Sequence, residues 1–89
     1  MSFQEQIFLM PKLRILSSKE IIKFLEKQDF IFNRQKGSHI VLVRVVSFSK
    51  QVLTIPNHAR VDKGTIKALY NQISRFIPES DLQKLFYTK

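Results

Sequence analysis

Apolar residues at helical spacing mark the first regular element of the chain. From Ser18 to Gln28 the apolar positions recur three or four residues apart, and lysine and glutamate occupy most positions between them. Ser17 and Glu20 have the spacing of a capping box, in which each side chain accepts a hydrogen bond from the other residue's backbone N–H. The pattern predicts a helix from about Ser18 to Gln28.

Three segments rich in aromatic and β-branched residues follow, and they predict strands at about Phe30–Arg34, Ser38–Val46 and Gln51–Ile55. Short polar segments, Gln35–Gly37 and Ser47–Lys50, connect these strands. Gly37 can take the positive φ that a tight turn needs. Pro56 ends the last strand, because proline has no N–H to donate to the ladder.

The middle strand is apolar on both of its faces. Alternation puts Ile40 and Leu42 on one face, and Val41, Val43 and Val45 on the other. One face must pack against the helices. We expect the other to stay uncovered as a partner surface, because too few helices are predicted to cover both sides. A second face buried within the same chain is the alternative.

Helical spacing returns in the last third of the chain. Asp62 or Lys63 begins a second helix, and Pro78 stands where a short closing helix can start. The apolar positions of these helices are Ile66, Leu69, Tyr70, Ile73 and Ile77, then Leu82, Leu85 and Phe86. The predicted class is α+β: a three-stranded antiparallel sheet covered on one face by two helices, ordered α-β-β-β-α, with a short C-terminal helix. This order resembles the double-stranded-RNA-binding fold.

Composition narrows the classes of function. The 89 residues suffice for one small domain, and the absence of cysteine excludes disulfides and thiolate metal sites and favours an intracellular, cytoplasmic protein. The net charge of +8 favours an anionic partner, and no apolar run is long enough to span a membrane. We expect one domain over residues 10–89, preceded by an extension at residues 1–9 of the kind that is often poorly ordered.

The two histidines of the chain lie in a tract without any acidic residue. Between Phe30 and Val61 every charged side chain is positive, so no carboxylate of this tract can hold His39 or His58 in its charged form. Such a histidine suits general acid–base chemistry near neutral pH on a polyanion, and RNA is the polyanion that this setting favours.

His39 is the strongest candidate for a catalytic residue. It directly follows Lys36, Gly37 and Ser38, so a lysine and two backbone N–H groups, with Arg34 nearby, can support a negatively charged transition state. Neutral imidazole would take the proton of an RNA 2′-hydroxyl, or imidazolium would give a proton to the leaving 5′-oxygen. The ordinary alternative is a surface or packed histidine.

The other candidates have plainer alternatives. His58 can be a second acid–base group, a phosphate contact or a loop cap. Lys63 can bind an anion together with a helix N-terminus, or Asp62 can simply cap that helix. Further cations that can line a phosphate track or stay solvated are Arg44, Lys50 and Arg60. We expect neither a metal nor another cofactor, because no carboxylate or cysteine lies between Asp29 and Asp62.

Taken in order, several segments resemble those of HicA-type toxins, the small mRNA interferases of HicA–HicB toxin–antitoxin systems. The resemblance covers residues 10 to about 73, and Gly-Ser-His followed by Pro-x-His and Lys-Gly-Thr is its most specific part. The segments that carry it are Ser18–Leu25, Asp29–Phe30, Arg34–His39, Ile55–His58 and Lys63–Ile66.

This resemblance implies a metal-independent ribonuclease with a double-stranded-RNA-binding-like fold. It also implies that His39 is the catalytic residue and that a HicB-type antitoxin masks the site. Two features depart from the family pattern: Leu42 stands where an aromatic residue is usual, and the tail Arg75–Lys89 matches no part of it. We therefore predict an endoribonuclease toxin that cleaves mRNA. A non-catalytic RNA-binding module on the same scaffold is the alternative, and Leu42 favours it.

Overall fold

The computed structural model describes residues 12–88, which form short helices and antiparallel strands. The expectation for residues 1–9 lies outside that range. In chain order the elements are β1 (Lys12–Leu13), α1 (Ser18–Lys27), β2 (Ile31–Lys36), β3 (His39–Val46), β4 (Ser49–Pro56), α2 (Lys63–Ile73), α3 (Glu79–Phe86) and β5 (Tyr87–Thr88). The predicted α+β class and the α-β-β-β-α order with a C-terminal helix are confirmed.

Both ends of helix α1 are capped by residues next to them in the sequence. The capping box is present: the Glu20 N–H donates to Ser17 Oγ over 3.1 Å, and the Ser17 N–H donates to Glu20 Oε1 over 3.0 Å. At the other end Asp29 takes a left-handed φ of 71°, and the Phe30 N–H reaches back to the Leu25 carbonyl over 3.0 Å. This Schellman-type ending stops the helix and turns the buried Phe30 into the core.

The three long strands form one antiparallel sheet in the order β2-β3-β4. Both connections are two-residue turns. Strand β2 ends two residues later than predicted and β4 begins two residues earlier, whereas β3 begins one residue later, at His39. In the second turn Ser47 and Phe48 both have positive φ, 49° and 67°. Such a turn matches the twist of the flanking strands, so the predicted four-residue connection Ser47–Lys50 shortens to two residues.

The sheet has one covered face and one open face. On the inner face Leu42, Leu53 and Ile55 are fully buried in a core that the helices complete. On the outer face Ile31 is 71% exposed and Val45 is 68% exposed. The expected uncovered apolar face is therefore present among the described residues.

The C-terminal tail, which matches no family pattern, completes this core. Ile77, Leu82 and Phe86 are buried there, and the Phe86 and Tyr70 rings meet edge to face with centroids 5.4 Å apart. Strand β5 then pairs with β1 in a two-stranded antiparallel ribbon that the sequence did not predict. Within residues 12–88 no helix is both long enough and apolar enough to cross a bilayer.

Candidate functional site

His39 is the first residue of β3 and is exposed on the outer face of the sheet. In the strand register it lies between Lys36 of β2 and Pro56 of β4. Directly opposed side chains of antiparallel strands have Cβ atoms about 4.5–5.5 Å apart and project to the same face. The register therefore places the Lys36 ammonium group and the His39 imidazole on one surface.

A second row of side chains lies beside this one. Two residues along each strand, Arg34, Val41 and Thr54 oppose one another across β2, β3 and β4. Because successive side chains alternate, this row shares the outer face with the row of His39. The two rows form the floor and walls of a shallow depression, whose lining residues are Arg34, Lys36, Gly37, Ser38, His39, Val41 and Thr54.

The structure thus brings five of the predicted site residues into one depression, and it adds two that the sequence analysis missed. Neither Val41 nor Thr54 belongs to a sequence motif. Their positions along the strands could have identified them, since Val41 lies two residues from His39 and Thr54 two residues from Pro56, and residues two apart on a strand face the same side. Only the register of β3 against β4 shows that Pro56 is the residue opposite His39.

The turn before His39 depends on glycine for its backbone conformation. Gly37 has φ of 59°, and a Cβ atom at this position would meet nothing within 4 Å, so the requirement is conformational. The Asn57 N–H donates to the Ser38 carbonyl over 2.6 Å, and Gln35 Nε2 donates to the Gly37 carbonyl over 3.0 Å. The N–H groups of Gly37 and Ser38 make no hydrogen bond to residues 12–88, so they remain available to an anion.

His58 has a different setting. Its backbone is tied to the start of α1: the His58 N–H donates to Ser18 Oγ over 2.8 Å, and the Ser18 N–H donates to the His58 carbonyl over 3.0 Å. Ser18 Oγ donates in turn to the Pro56 carbonyl. The His58 side chain is exposed but does not line the depression of His39.

We expect Ser18→Ala to lower the free energy of unfolding by about 1–3 kcal/mol, because it leaves two backbone groups without a partner at a residue that is 1% exposed. Urea unfolding followed by circular dichroism measures this. The matched control is Ser80→Ala at an exposed position of α3, which is expected to stay within about 0.5 kcal/mol of the wild type. Equal unfolding midpoints for the two variants would show that the Ser18 contacts contribute nothing.

Lys63 is the first residue of α2, and the carboxylate of the preceding residue, Asp62, caps the helix N-terminus. Asp62 Oδ1 accepts the Thr65 N–H over 2.9 Å, and Asp62 Oδ2 accepts the Thr65 hydroxyl over 2.9 Å. The Thr65 N–H, followed by its hydroxyl, lowers the pKa of Asp62 below its usual value. The helix start therefore already holds a negative group, as in the plainer of the two interpretations, and Lys63 lies outside the lining of the depression.

Arg44 does not belong to a phosphate track on the outer face. It opposes Gln51 on the inner side, and its guanidinium donates to Gln51 Oε1, the Gln28 carbonyl and the Phe76 carbonyl over 2.9, 2.8 and 3.0 Å. Its Cζ also lies 4.6 Å from the centroid of the Phe30 ring. These contacts give Arg44 a structural role, joining the end of α1 to the sheet and to the segment after α2.

Within residues 12–88, no three side chains of the metal-ligating types His, Cys, Asp and Glu converge. The residues that line the depression include two cations and no carboxylate. A lysine, an arginine, a histidine and two free N–H groups around one small concavity suit a phosphate group and its neighbouring hydroxyl.

In a comparison with protein families, residues 18–74 match the family described as the HicA toxin of bacterial toxin–antitoxin systems. The matched segment runs from the first residue of α1 past the end of α2 and contains every residue that lines the depression. No curated protein and no solved structure matches the chain.

Proposed function

Because this chain belongs to the HicA toxin family of bacterial toxin–antitoxin systems, we propose that it is an endoribonuclease that cleaves mRNA through metal-independent acid–base chemistry at His39. The observation that supports this most is the cross-strand row in which Lys36 directly opposes His39. The exposed His39 imidazole thereby shares an open concave surface with the positively charged ammonium group of Lys36.

The proposed reaction uses the RNA's own 2′-hydroxyl. Its oxygen attacks the adjacent phosphorus, its proton is removed, and the bond to the 5′-oxygen breaks as that oxygen gains a proton. His39 transfers one of these two protons, which is typically worth about 10²–10⁴-fold in rate. The products are one RNA end with a 2′,3′-cyclic phosphate and one with a 5′-hydroxyl.

The other residues of the depression stabilise negative charge. Arg34 and Lys36 lie on the β2 side, where they can contact the non-bridging phosphate oxygens as negative charge accumulates. The Gly37 and Ser38 N–H groups add two donors from the turn. His58 lies outside the depression, and we assign it to a phosphate that flanks the cleaved bond. The helix start at Lys63 is already capped by Asp62, so Lys63 contributes only its exposed ammonium charge to the same RNA backbone.

The binding partners follow from charge and family. The net charge of +8 gives sequence-independent attraction to the RNA backbone, which weakens as salt is added. As a toxin of a toxin–antitoxin system the protein has an antitoxin partner. We propose a HicB-type antitoxin that covers the outer sheet face, in the cytoplasm of a prokaryotic cell.

Leu42 bears on the choice between an enzyme and a non-catalytic RNA-binding module. It is fully buried on the inner face of β3, on the opposite side of the sheet from His39. The departure from the family's usual aromatic residue is therefore a difference in core packing, and it removes no group from the depression. This placement favours the enzyme.

The test is an end-group analysis. We expect the wild-type protein, in EDTA, to convert a labelled single-stranded RNA into fragments with 2′,3′-cyclic phosphate and 5′-hydroxyl ends. An all-deoxy strand of the same sequence is the control, and it should stay intact because it lacks the attacking hydroxyl. RNA that is bound but uncut would instead identify the non-catalytic binding module.

A further inference from the structure

Thr54 occupies the side of the depression opposite the cations. Across the second row, Arg34 lies on β2, Val41 lies on β3 and Thr54 lies on β4. Thr54 is half-buried, and Val41 between them is only 9% exposed. The depression is therefore asymmetric, with a positively charged β2 side, an apolar floor and a neutral hydroxyl on the β4 side.

The Thr54 hydroxyl makes no hydrogen bond to any of residues 12–88. Two other threonine and serine hydroxyls of the fold are engaged: Thr65 Oγ1 donates to Asp62 and Ser74 Oγ donates to the Asn71 carbonyl. The Ser38 hydroxyl also lines the depression, but it lies on the exposed turn, whereas Thr54 is held half-buried within β4. The β-branched shape of threonine suits a strand, but valine would serve that purpose equally well. The hydroxyl itself contributes nothing to the described structure, so it is open to a ligand.

The chemistry of the Thr54 hydroxyl differs from that of the cations on the β2 side of the depression. Arginine and lysine only donate hydrogen bonds, and they favour the anionic oxygens of phosphate. A threonine hydroxyl both donates and accepts, so it can pair with another neutral hydroxyl. In RNA that group is the ribose 2′-hydroxyl, which is also the group that distinguishes RNA from DNA.

We propose that the Thr54 hydroxyl hydrogen-bonds to a ribose 2′-hydroxyl of the bound strand, so that the site prefers RNA over DNA in the binding step. A nucleotide then lies across the sheet with its phosphate toward β2 and its sugar over Val41 toward β4. This inference rests on the proposed function, because it takes RNA as the ligand of the depression.

The test compares Thr54→Val, which keeps the branched shape, with Thr54→Ser, which keeps the hydroxyl. Affinity is measured in EDTA by fluorescence anisotropy on a short RNA, its all-deoxy counterpart, and RNAs carrying one 2′-deoxy nucleotide at each position in turn. All proteins also carry His39→Ala, so that the RNA stays intact. Thermal unfolding of each variant checks that the fold is retained.

We expect Thr54→Val to weaken RNA binding about three- to tenfold, the worth of one neutral hydrogen bond, and to leave DNA binding unchanged. At one position of the RNA, a 2′-deoxy nucleotide should cause the same loss of affinity in the protein that retains Thr54. The same substitution should cause no further loss in the Thr54→Val protein. Thr54→Ser should bind within about twofold of the parent. Combining Thr54→Val with Val52→Thr, which moves the hydroxyl one row along β4, should not restore binding.

The inference is overturned if Thr54→Val weakens the binding of RNA and of DNA equally, or changes neither. It is also overturned if the loss of affinity caused by Thr54→Val multiplies with the loss caused by the 2′-deoxy substitution at every position. These outcomes are separate from the fate of the proposed function, because binding is measured without cleavage. If the wild-type protein leaves RNA uncut but the Thr54 and 2′-deoxy losses are coupled, the Thr54 contact stands and the enzyme assignment fails. If the wild-type protein cleaves RNA but the two losses are not coupled, the enzyme assignment stands and the Thr54 contact fails.

Discussion

Replacing His39 by alanine is expected to lower RNA cleavage by about 10²–10⁴-fold, the usual contribution of one general acid or base. Imidazole is the side chain most often used for general acid–base catalysis, and His39 is the one histidine that lines the depression. Because His39 is exposed, its loss removes no core contact, and we expect the unfolding midpoint to stay that of the wild type. Gel analysis of labelled RNA in EDTA measures the effect.

His58→Ala is the matched control, since it is the other histidine of the chain and lies outside the depression. We expect it to weaken binding of RNA more than it slows cleavage of saturating RNA. Full cleavage by His39→Ala would contradict the assignment, and a loss confined to His58→Ala would transfer the chemistry to that residue. Loss of binding together with cleavage in His39→Ala would mean that His39 only holds the RNA.

Replacing Arg44 by alanine is expected to lower the free energy of unfolding by about 2–4 kcal/mol. The change removes hydrogen bonds from a charged donor to the Gln28 and Phe76 carbonyls, as well as the contact with the Phe30 ring. It thereby loosens the end of α1 from the sheet. Urea unfolding measures the loss, with Lys50→Ala on the exposed end of β4 as control, expected to change stability by less than about 0.5 kcal/mol.

Arg44→Ala and Lys36→Ala separate a structural cation from a phosphate-binding one. The slope of log affinity for single-stranded RNA against log salt should be unchanged in Arg44→Ala and should be shallower by about 0.7 in Lys36→Ala. Wild-type stability in Arg44→Ala combined with a reduced salt slope would mean that Arg44 binds phosphate. This would contradict the role that its three hydrogen bonds indicate.

Secondary-structure elements that depend on residues close together in the chain could be predicted from the sequence. The capping box of Ser17 and Glu20 lies within one turn of the chain, and it begins α1 where the sequence indicated. The second turn was predicted too long, because Ser47 and Phe48 lack the glycine or asparagine that usually marks positive φ. The β1–β5 ribbon left no signal, since its partners come from opposite ends of the described chain.

Spacing and capping act between near neighbours, so the helices, the alternation along β3 and the basic motif around His39 could all be predicted from the sequence. Which cations lie on the outer face of the sheet depends on the tertiary structure. Register and side are set when β3 pairs with β2 and β4 over the core, and this turns Lys36 outward and Arg44 inward. The same pairing brings Thr54 beside His39, a proximity between strands that no pattern along one strand contains.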